Sequence, residues 1–214
     1  MKRLYIWGAG GHGRVVFDCA VSTGWEVEFL DDDPGLAGRT VFGRSVQPPD
    51  EALARAAVEG AAFIVAIGDN RVRAARFETA LERGLRAATL VHPAAAISPW
   101  AAIGEGTLVM PGAIVNAGAK IGRNAIVNTG AVVEHDCRVE DHVHLAPRSV
   151  LGGGVRVEAF ALVGIGAAAI PGVAIGRNAV VGAGAVVVGP IGAGETAVGV
   201  PARALSARRA EAAA

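Results

Sequence analysis

From Ile97 to Val187 the chain repeats itself every six residues. Aliphatic residues recur at Ile97, Ile103, Val109, Val115, Ile121 and on through Val181 and Val187, with Ala169 the one lapse. Four residues after each stands a second, mostly small series that includes Ala113, Ala131, Cys137 and Ala161. A fixed short period is the signature of a solenoid, and a period of six is that of a parallel β-helix. Three hexads close one triangular coil of eighteen residues, so the repeat makes about five coils. With strands stacked about 4.8 Å apart, the prism is roughly 24 Å tall.

The period gives each residue an address. Positions one and five of the hexad point inward, because they alone are aliphatic or small. Positions two, three, four and six face out or sit at corners, and the glycines at position two (Gly104, Gly122, Gly164, Gly176, Gly182) suit tight corners. Residues eighteen apart stack directly. The sixth positions then form three columns. Ala102, Lys120, Arg138, Arg156 and Ala174 make a solvated one. Ile114, Val132, Val150, Ala168 and Val186 make an apolar one, and so do Leu108, Ile126, His144, Leu162 and Val180, broken only by His144. Outward apolar stripes of this length mark partner surfaces, and a prism with two of them suits a closed ring of three copies. The alternative is that the remainder of the chain covers them.

The first ninety residues differ in kind. Strands at Leu4–Trp7, Trp25–Leu30, Phe63–Ile67 and Ala88–Val91 alternate with helices at Arg14–Thr23, Glu51–Val58 and Arg71–Arg83. Such alternation predicts a small parallel α/β sheet. His92-Pro93 sets the boundary, giving an α/β domain over 1–92 and a β-helix over 93–214, closed by Gly189-Pro190 and followed by a short tail with a helix after Arg203. Hydrophobic residues are 52% of the 214 but aromatics only 5%, which fits a narrow core of Ala and Val. Twenty basic and twenty acidic residues cancel, so no net field draws nucleic acid or an anionic membrane. The two cysteines have no metal or disulfide spacing. Without a signal peptide or membrane span, the chain reads as cytoplasmic.

Two places carry chemistry. Titratable groups gather in Glu134–His144. His135 occupies position three and stacks between Ala117 and Gly153, while Asp136 stacks between Gly118 and Gly154. A His-Asp step in a column of nearly absent side chains describes a groove with a base in it, provided the chain bends there. Cys137 is interior, a small core residue, and His142 reads as surface. The second place is Gly8-Ala9-Gly10-Gly11-His12-Gly13, a G-x-G-x-x-G run after a strand and before a helix, with Asp31 beyond it. Backbone N–H groups there suit a pyrophosphate. The domain is too short for two mononucleotide halves, so this half-site fits one nucleoside diphosphate better than NAD.

With Phe-Leu-Asp-Asp-Asp at 29–33, Ala-Ile-Gly-Asp-Asn at 66–70, Glu-His-Asp-Cys at 134–137 and Gly-Val-Pro-Ala-Arg at 199–203, these motifs resemble one family in order over nearly the whole chain. It is that of the bacterial sugar acetyltransferases of the sialic acid O-acetyltransferase type, including the N-acetyltransferases of nucleotide-linked 4-amino-6-deoxy sugars. The resemblance implies a half-Rossmann-like domain before a left-handed β-helix, and a homotrimer with acetyl-CoA between neighbouring prisms. It implies His135 as general base and Asp136, where the family more often has Glu, as its carboxylate partner. His144, Gly153, Ile165 and Ala183 fall on coenzyme-binding positions. Gly10, Gly11, His12, Asp31 and Asp32 fall on nucleotide-sugar positions, and no metal is implied. Transfer to the oxygen of a sialic-acid-type sugar, or a non-catalytic nucleotide-sugar-binding trimer, are the rival readings. A zinc enzyme on the same helix type would need three converging histidines.

Overall fold

A computed structural model describes residues 2–205. The amino-terminal domain runs β1 (Lys2–Trp7), α1 (Gly11–Ser22), β2 (Trp25–Leu30), β3 (Thr40–Val41), β4 (Arg44–Gln47), α2 (Pro49–Glu59), β5 (Ala62–Val65), α3 (Asn70–Glu82) and β6 (Arg86–Ala87). Its sheet has the order β3-β4-β2-β1-β5-β6, parallel except for the β3–β4 hairpin. Central β1 reads as a continuous apolar run because helices cover both faces: Leu4 and Ile6 pack with Val16 and Cys19 of α1, while Tyr5 and Trp7 pack with Leu53 of α2 and Phe77 of α3. The β3–β4 hairpin was not legible in the sequence, since two-residue strands around Phe42-Gly43 leave no periodic pattern.

The remainder is the prism. Two-residue strands occupy positions six and one of each hexad and pair in parallel at a register of eighteen, as in Ile126↔His144 and Val132↔Val150. Three flat sheets result, wound as a left-handed β-helix. The first face carries the Leu108 column, the second the Ile114 column and the third the Lys120 column. Positions one and five fill the interior, with Val127, Ala131, Val133, Cys137 and Val139 in one continuous core. Each fully buried Val or Leu contributes about 1.5–3 kcal/mol.

Three expectations change. Leu90–Val91 is not the last strand of the α/β sheet; it pairs with Leu108–Val109 and forms the lowest rung of the first face. The six-residue period extends back to Val91, but one hexad next to a domain junction looks like a domain strand. At the other end Thr196–Val198 pairs with Val180–Val181, so the first face continues past Gly189-Pro190. Arg203–Ala204 folds back antiparallel on it, and the helix read after Arg203 lies outside the described residues. The corner chemistry also divides differently. Position four, not position two, takes the left-handed backbone, as at Gly118 (φ +74°) and Gly154 (φ +69°). At the position-two glycines the next coil is close: a Cβ on Gly104 would lie 2.5 Å from the Gly122 carbonyl.

The first face is not a free apolar stripe. Leu108 and Ile126 are buried with Leu4, Ile6 and Val16 of the amino-terminal domain, which sits on the lower coils. The second face stays open, with Ile114 and Val150 exposed.

Candidate functional site

His135 and Asp136 lie at the corner between the second and third faces. Asp136 takes the left-handed conformation (φ +58°), and this bend lets adjacent side chains meet on one side. His135 Nδ1 stands 3.0 Å from Asp136 Oδ2, with both side chains largely exposed. A carboxylate only accepts, so Nδ1 carries the proton and Nε2 presents a lone pair. The stacking holds: Asp136 N–H donates to the Ala117 carbonyl, and Gly154 N–H to that of His135. The imidazole lies so close over Gly153 that a Cβ there would be 2.5 Å from Nε2, and a Cβ on Gly118 would be 2.5 Å from Asp136 Oδ1. The Gly153 N–H makes no hydrogen bond among the described residues.

In the amino-terminal domain the glycines divide by role. A Cβ on Gly13 would meet the Gly8 carbonyl oxygen at 2.0 Å, so that residue closes the turn against the helix. Gly10 and Gly11 would meet nothing within 4 Å; they open onto free space at the start of α1, where unpaired N–H groups attract anions. Asp31 accepts from Ala9 N–H (2.7 Å) and from Asp33 N–H (2.9 Å), tying the turn to the end of β2. Asp32 is held by Trp7 Nε1 (3.0 Å) and Arg76 Nε (2.8 Å). His12 is largely buried, and among the described residues its Nε2 has no hydrogen-bond partner.

His144 sits on the first face under this domain. Its Nδ1–H donates to the Gly68 carbonyl (3.3 Å), and Asn128 Nδ2 donates to its Nε2 (3.1 Å). Burial, then the nearby Arg73 charge, pushes His12 and His144 down to about 4. Arg73 is itself fully buried, and among the described residues no carboxylate lies within ion-pairing distance of it. Its guanidinium donates to the carbonyls of Ile67, Gly68, Asn124 and His142 and to Asn70 Oδ1. Burial brings it down to about 9, against the opposing pull of Asp69. Asn70 Nδ2 adds bonds to the Phe160 and Ala161 carbonyls. The start of α3 therefore rivets the two domains together.

Ile165 and Ala183 stack at the corner between the first and second faces, both exposed. The predicted residues thus fall into separate groups on one chain. The corner carrying His135, Asp136 and Gly153 is separated by the second face from the corner of Ile165 and Ala183. His144 and the Gly-rich turn lie on the first face and the domain above it. A cleft of about 230 Å³ runs between Gly68–Arg71 and Phe160, Leu162, Asn178 and Val180. A larger hollow of about 470 Å³, lined by Lys2, Trp25 and Arg86, lies at the amino ends of the strands. Parallel sheets bind ligands at the other end. Among the described residues no three His, Cys, Asp or Glu side chains are grouped to hold a metal, and no helix is long and apolar enough to cross a membrane.

The family described as the PglD N-terminal domain matches residues 3–80, and the bacterial transferase hexapeptide repeat matches 101–135 and 118–153. PerB from Caulobacter crescentus, solved with CoA and GDP-perosamine, is similar at 42% identity with a TM-score of 0.90, over 95% of this chain and 97% of that one. The acetyltransferase domain of PglB from Neisseria gonorrhoeae, in complex with acetyl coenzyme A, is 38% identical with a TM-score of 0.91, over 95% and 99%. WeeI from Acinetobacter baumannii AYE is 30% identical with a TM-score of 0.89, over 96% and 100%. The chain belongs to the hexapeptide-repeat nucleotide-amino-sugar N-acetyltransferases.

For this acetyltransferase, sequence reasoning missed Arg73 and Asn70. Their surroundings give the reason: Gly68-Asp69-Asn70 reads as an exit turn, and Asp69 does cap α3 by accepting from Arg71 and Val72 N–H. Nothing in a helical Arg signals that its partners are carbonyls 51 and 69 residues away.

Proposed function

We propose that this enzyme moves the acetyl group of acetyl-CoA to the amine of a nucleotide-linked 4-amino-6-deoxy sugar, in the cytoplasm and as a homotrimer, with His135 as general base. One observation carries the reading: the His135–Asp136 pair, with Nε2 free over Gly153, at an exposed corner cleared of side chains. The sugar amine attacks the thioester carbonyl, forming the N–C bond. Its proton passes to Nε2 of His135, and Asp136 stabilises the resulting imidazolium through Nδ1–H. The Gly153 N–H is placed to donate to the carbonyl oxygen as it gains charge. Collapse of the adduct breaks the C–S bond, and the imidazolium returns the proton to the departing thiolate.

The separation of the groups supports the trimer. One chain holds the base at one corner and the nucleotide half-site and His144 on the opposite side of the second face. Packing the open apolar second face against a neighbouring copy brings one chain's corner toward another's half-site and places Ile165 and Ala183 along the coenzyme. Gly10 and Gly11 then cradle the diphosphate, with His12, Asp31 and Asp32 around it.

The test is release of free CoA from acetyl-CoA against GDP-, UDP- and dTDP-linked 4-amino sugars, with sialic acid as an oxygen acceptor. GDP-perosamine comes first in the panel, being the sugar bound by the 42%-identical PerB. His135→Ala should lower kcat by about 10²–10⁴ with trimer mass unchanged. A fully active His135→Ala enzyme would remove the base, and turnover only with sialic acid would favour O-acetylation.

A further inference from the structure

Trp100 is 80% exposed. Among the described residues the other two tryptophans have partners: Trp7 donates to Asp32 and lies under Arg76, and Trp25 lies under Lys2. The Trp100 ring has neither an aromatic nor a cationic one. A single exposed apolar residue needs no explanation, but the place of this one does. Trp100 holds position four of the lowest coil at the corner that carries His135 and Asp136. Gly118 N–H donates to its carbonyl, and Asp136 N–H donates to the carbonyl of Ala117 on that middle coil. Two rungs, about 10 Å, separate the indole's rung from the base, and the residues between are Ala117 and Gly118. Trp100 also departs from its column: Gly118, Asp136, Gly154 and Gly172 take positive φ, and Trp100 does not. Its backbone is braced instead by Ser98, whose Oγ accepts from Trp100 N–H at 3.2 Å.

Lys120 follows Gly118 on the middle coil, exposed on the third face with no carboxylate within ion-pairing distance among the described residues. Read upward, this corner and the adjoining edge of the third face present a flat π-face, a cation without a carboxylate partner among the described residues, and the proposed general base. A nucleotide-linked amino sugar presents a flat heteroaromatic base, a diphosphate and an amine in the same order. We infer that Trp100 is the platform for the acceptor's base and that Lys120 faces its diphosphate, so that the corner reads the acceptor along its length. The inference rests on the acetyltransferase reading above. The Gly-rich turn of a neighbouring copy would hold the opposite side of the nucleotide, leaving the indole to cover the exposed face of the base. Stacking is tolerant of base identity because every base has a π-face, so Trp100 supplies affinity rather than a choice among nucleotides.

The experiment measures Michaelis constants for the nucleotide-sugar and for acetyl-CoA, trimer mass by light scattering, and calorimetric binding of GDP, UDP and dTDP. Trp100→Ala should raise the acceptor KM about tenfold with acetyl-CoA KM and mass unchanged, and Trp100→Phe should recover most of it. Lys120→Met should raise the acceptor KM and flatten its dependence on salt. An unchanged acceptor KM in Trp100→Ala overturns the inference, as does a loss of trimer mass, which would make Trp100 a subunit contact. If the wild-type enzyme turns over no nucleotide-linked amino sugar, the acetyltransferase reading fails by itself. Nucleoside diphosphate binding then decides for Trp100: about tenfold weaker in Trp100→Ala supports the platform, and equal binding refutes it.

Discussion

Gly153→Ala should cost catalysis and spare the fold. The backbone of Gly153 is not in the left-handed region, so alanine adds no conformational strain. Its Cβ would lie 2.5 Å from Nε2 and 2.6 Å from Cε1 of His135, about 1 Å inside ordinary contact. What yields is the imidazole, an exposed side chain with solvent to move into. Folding stability should therefore change by less than about 1 kcal/mol. The ring, however, must retreat about 1 Å from the position in which Nδ1 meets Asp136. A misplacement of that size costs about 10² in rate, which is about 2.7 kcal/mol of transition-state stabilisation. The assay pairs kcat/KM from CoA release with urea unfolding. Gly152→Ala is the contrasting control: there a Cβ would meet the Pro171 nitrogen at 2.8 Å, backbone that cannot step aside, so stability should fall. Wild-type kcat/KM in Gly153→Ala, or an activity loss that merely tracks unfolding, would refute the reasoning.

Stability should fall on acidification between about pH 6.5 and 4. His12 and His144 titrate near 4 when folded and near 6.5 when unfolded, so across that window the unfolded chain binds more protons. Their contribution is complete above 6.5 and gone below about 4, at most about 3 kcal/mol each; a His12→Gln/His144→Asn double variant should flatten the melting-temperature profile there. Gly13→Ala forces a Cβ onto the Gly8 carbonyl and should destabilise by at least about 2 kcal/mol in urea unfolding. Gly11→Ala enters open space at a helix start and should fold as well as the wild type while raising the acceptor KM. Val150→Asp, on the open second face, should dissociate the proposed trimer in light scattering and abolish turnover at the same protein concentration.

The solenoid was legible because its physics is local and repeated: each coil must put something small and apolar inward at the same two places. That pattern alone puts Cys137 in the core and His135 over Gly153. It stopped short where repetition meets a singular contact. Val91 obeys the period but abuts the other domain, so one hexad could not declare which sheet it joins. The apolar column of Leu108 and Ile126 read as a partner surface, yet its partner is the same chain's α1 and β1. Sequence patterning tells that a face is apolar, not what covers it. His142 read as surface, but its ring stacks on Phe160 at 4.8 Å and bonds Asn124.

Asp136 joins the fold to the chemistry. From the second coil upward position four of this corner takes positive φ, and the rungs around Asp136 answer with Gly118, Gly154 and Gly172. A residue with a Cβ costs about 1 kcal/mol there, and Asp is among the few that tolerate it. The 3.0 Å contact with His135 gives a carboxylate at this turn a proposed use. A Glu would reach Nδ1 as well but accepts the left-handed turn less readily. The shorter carboxylate suffices because the turn already folds it back beside the ring. Asp136→Gly should then separate the two roles. Stability in urea should hold or rise, by up to about 1 kcal/mol, because glycine takes the turn freely. Turnover should fall by roughly ten- to a hundredfold, because the imidazole loses the group that fixes its tautomer and its orientation. A less stable Asp136→Gly protein would mean that the carboxylate is there for the fold. An equally active one would mean that His135 needs no partner.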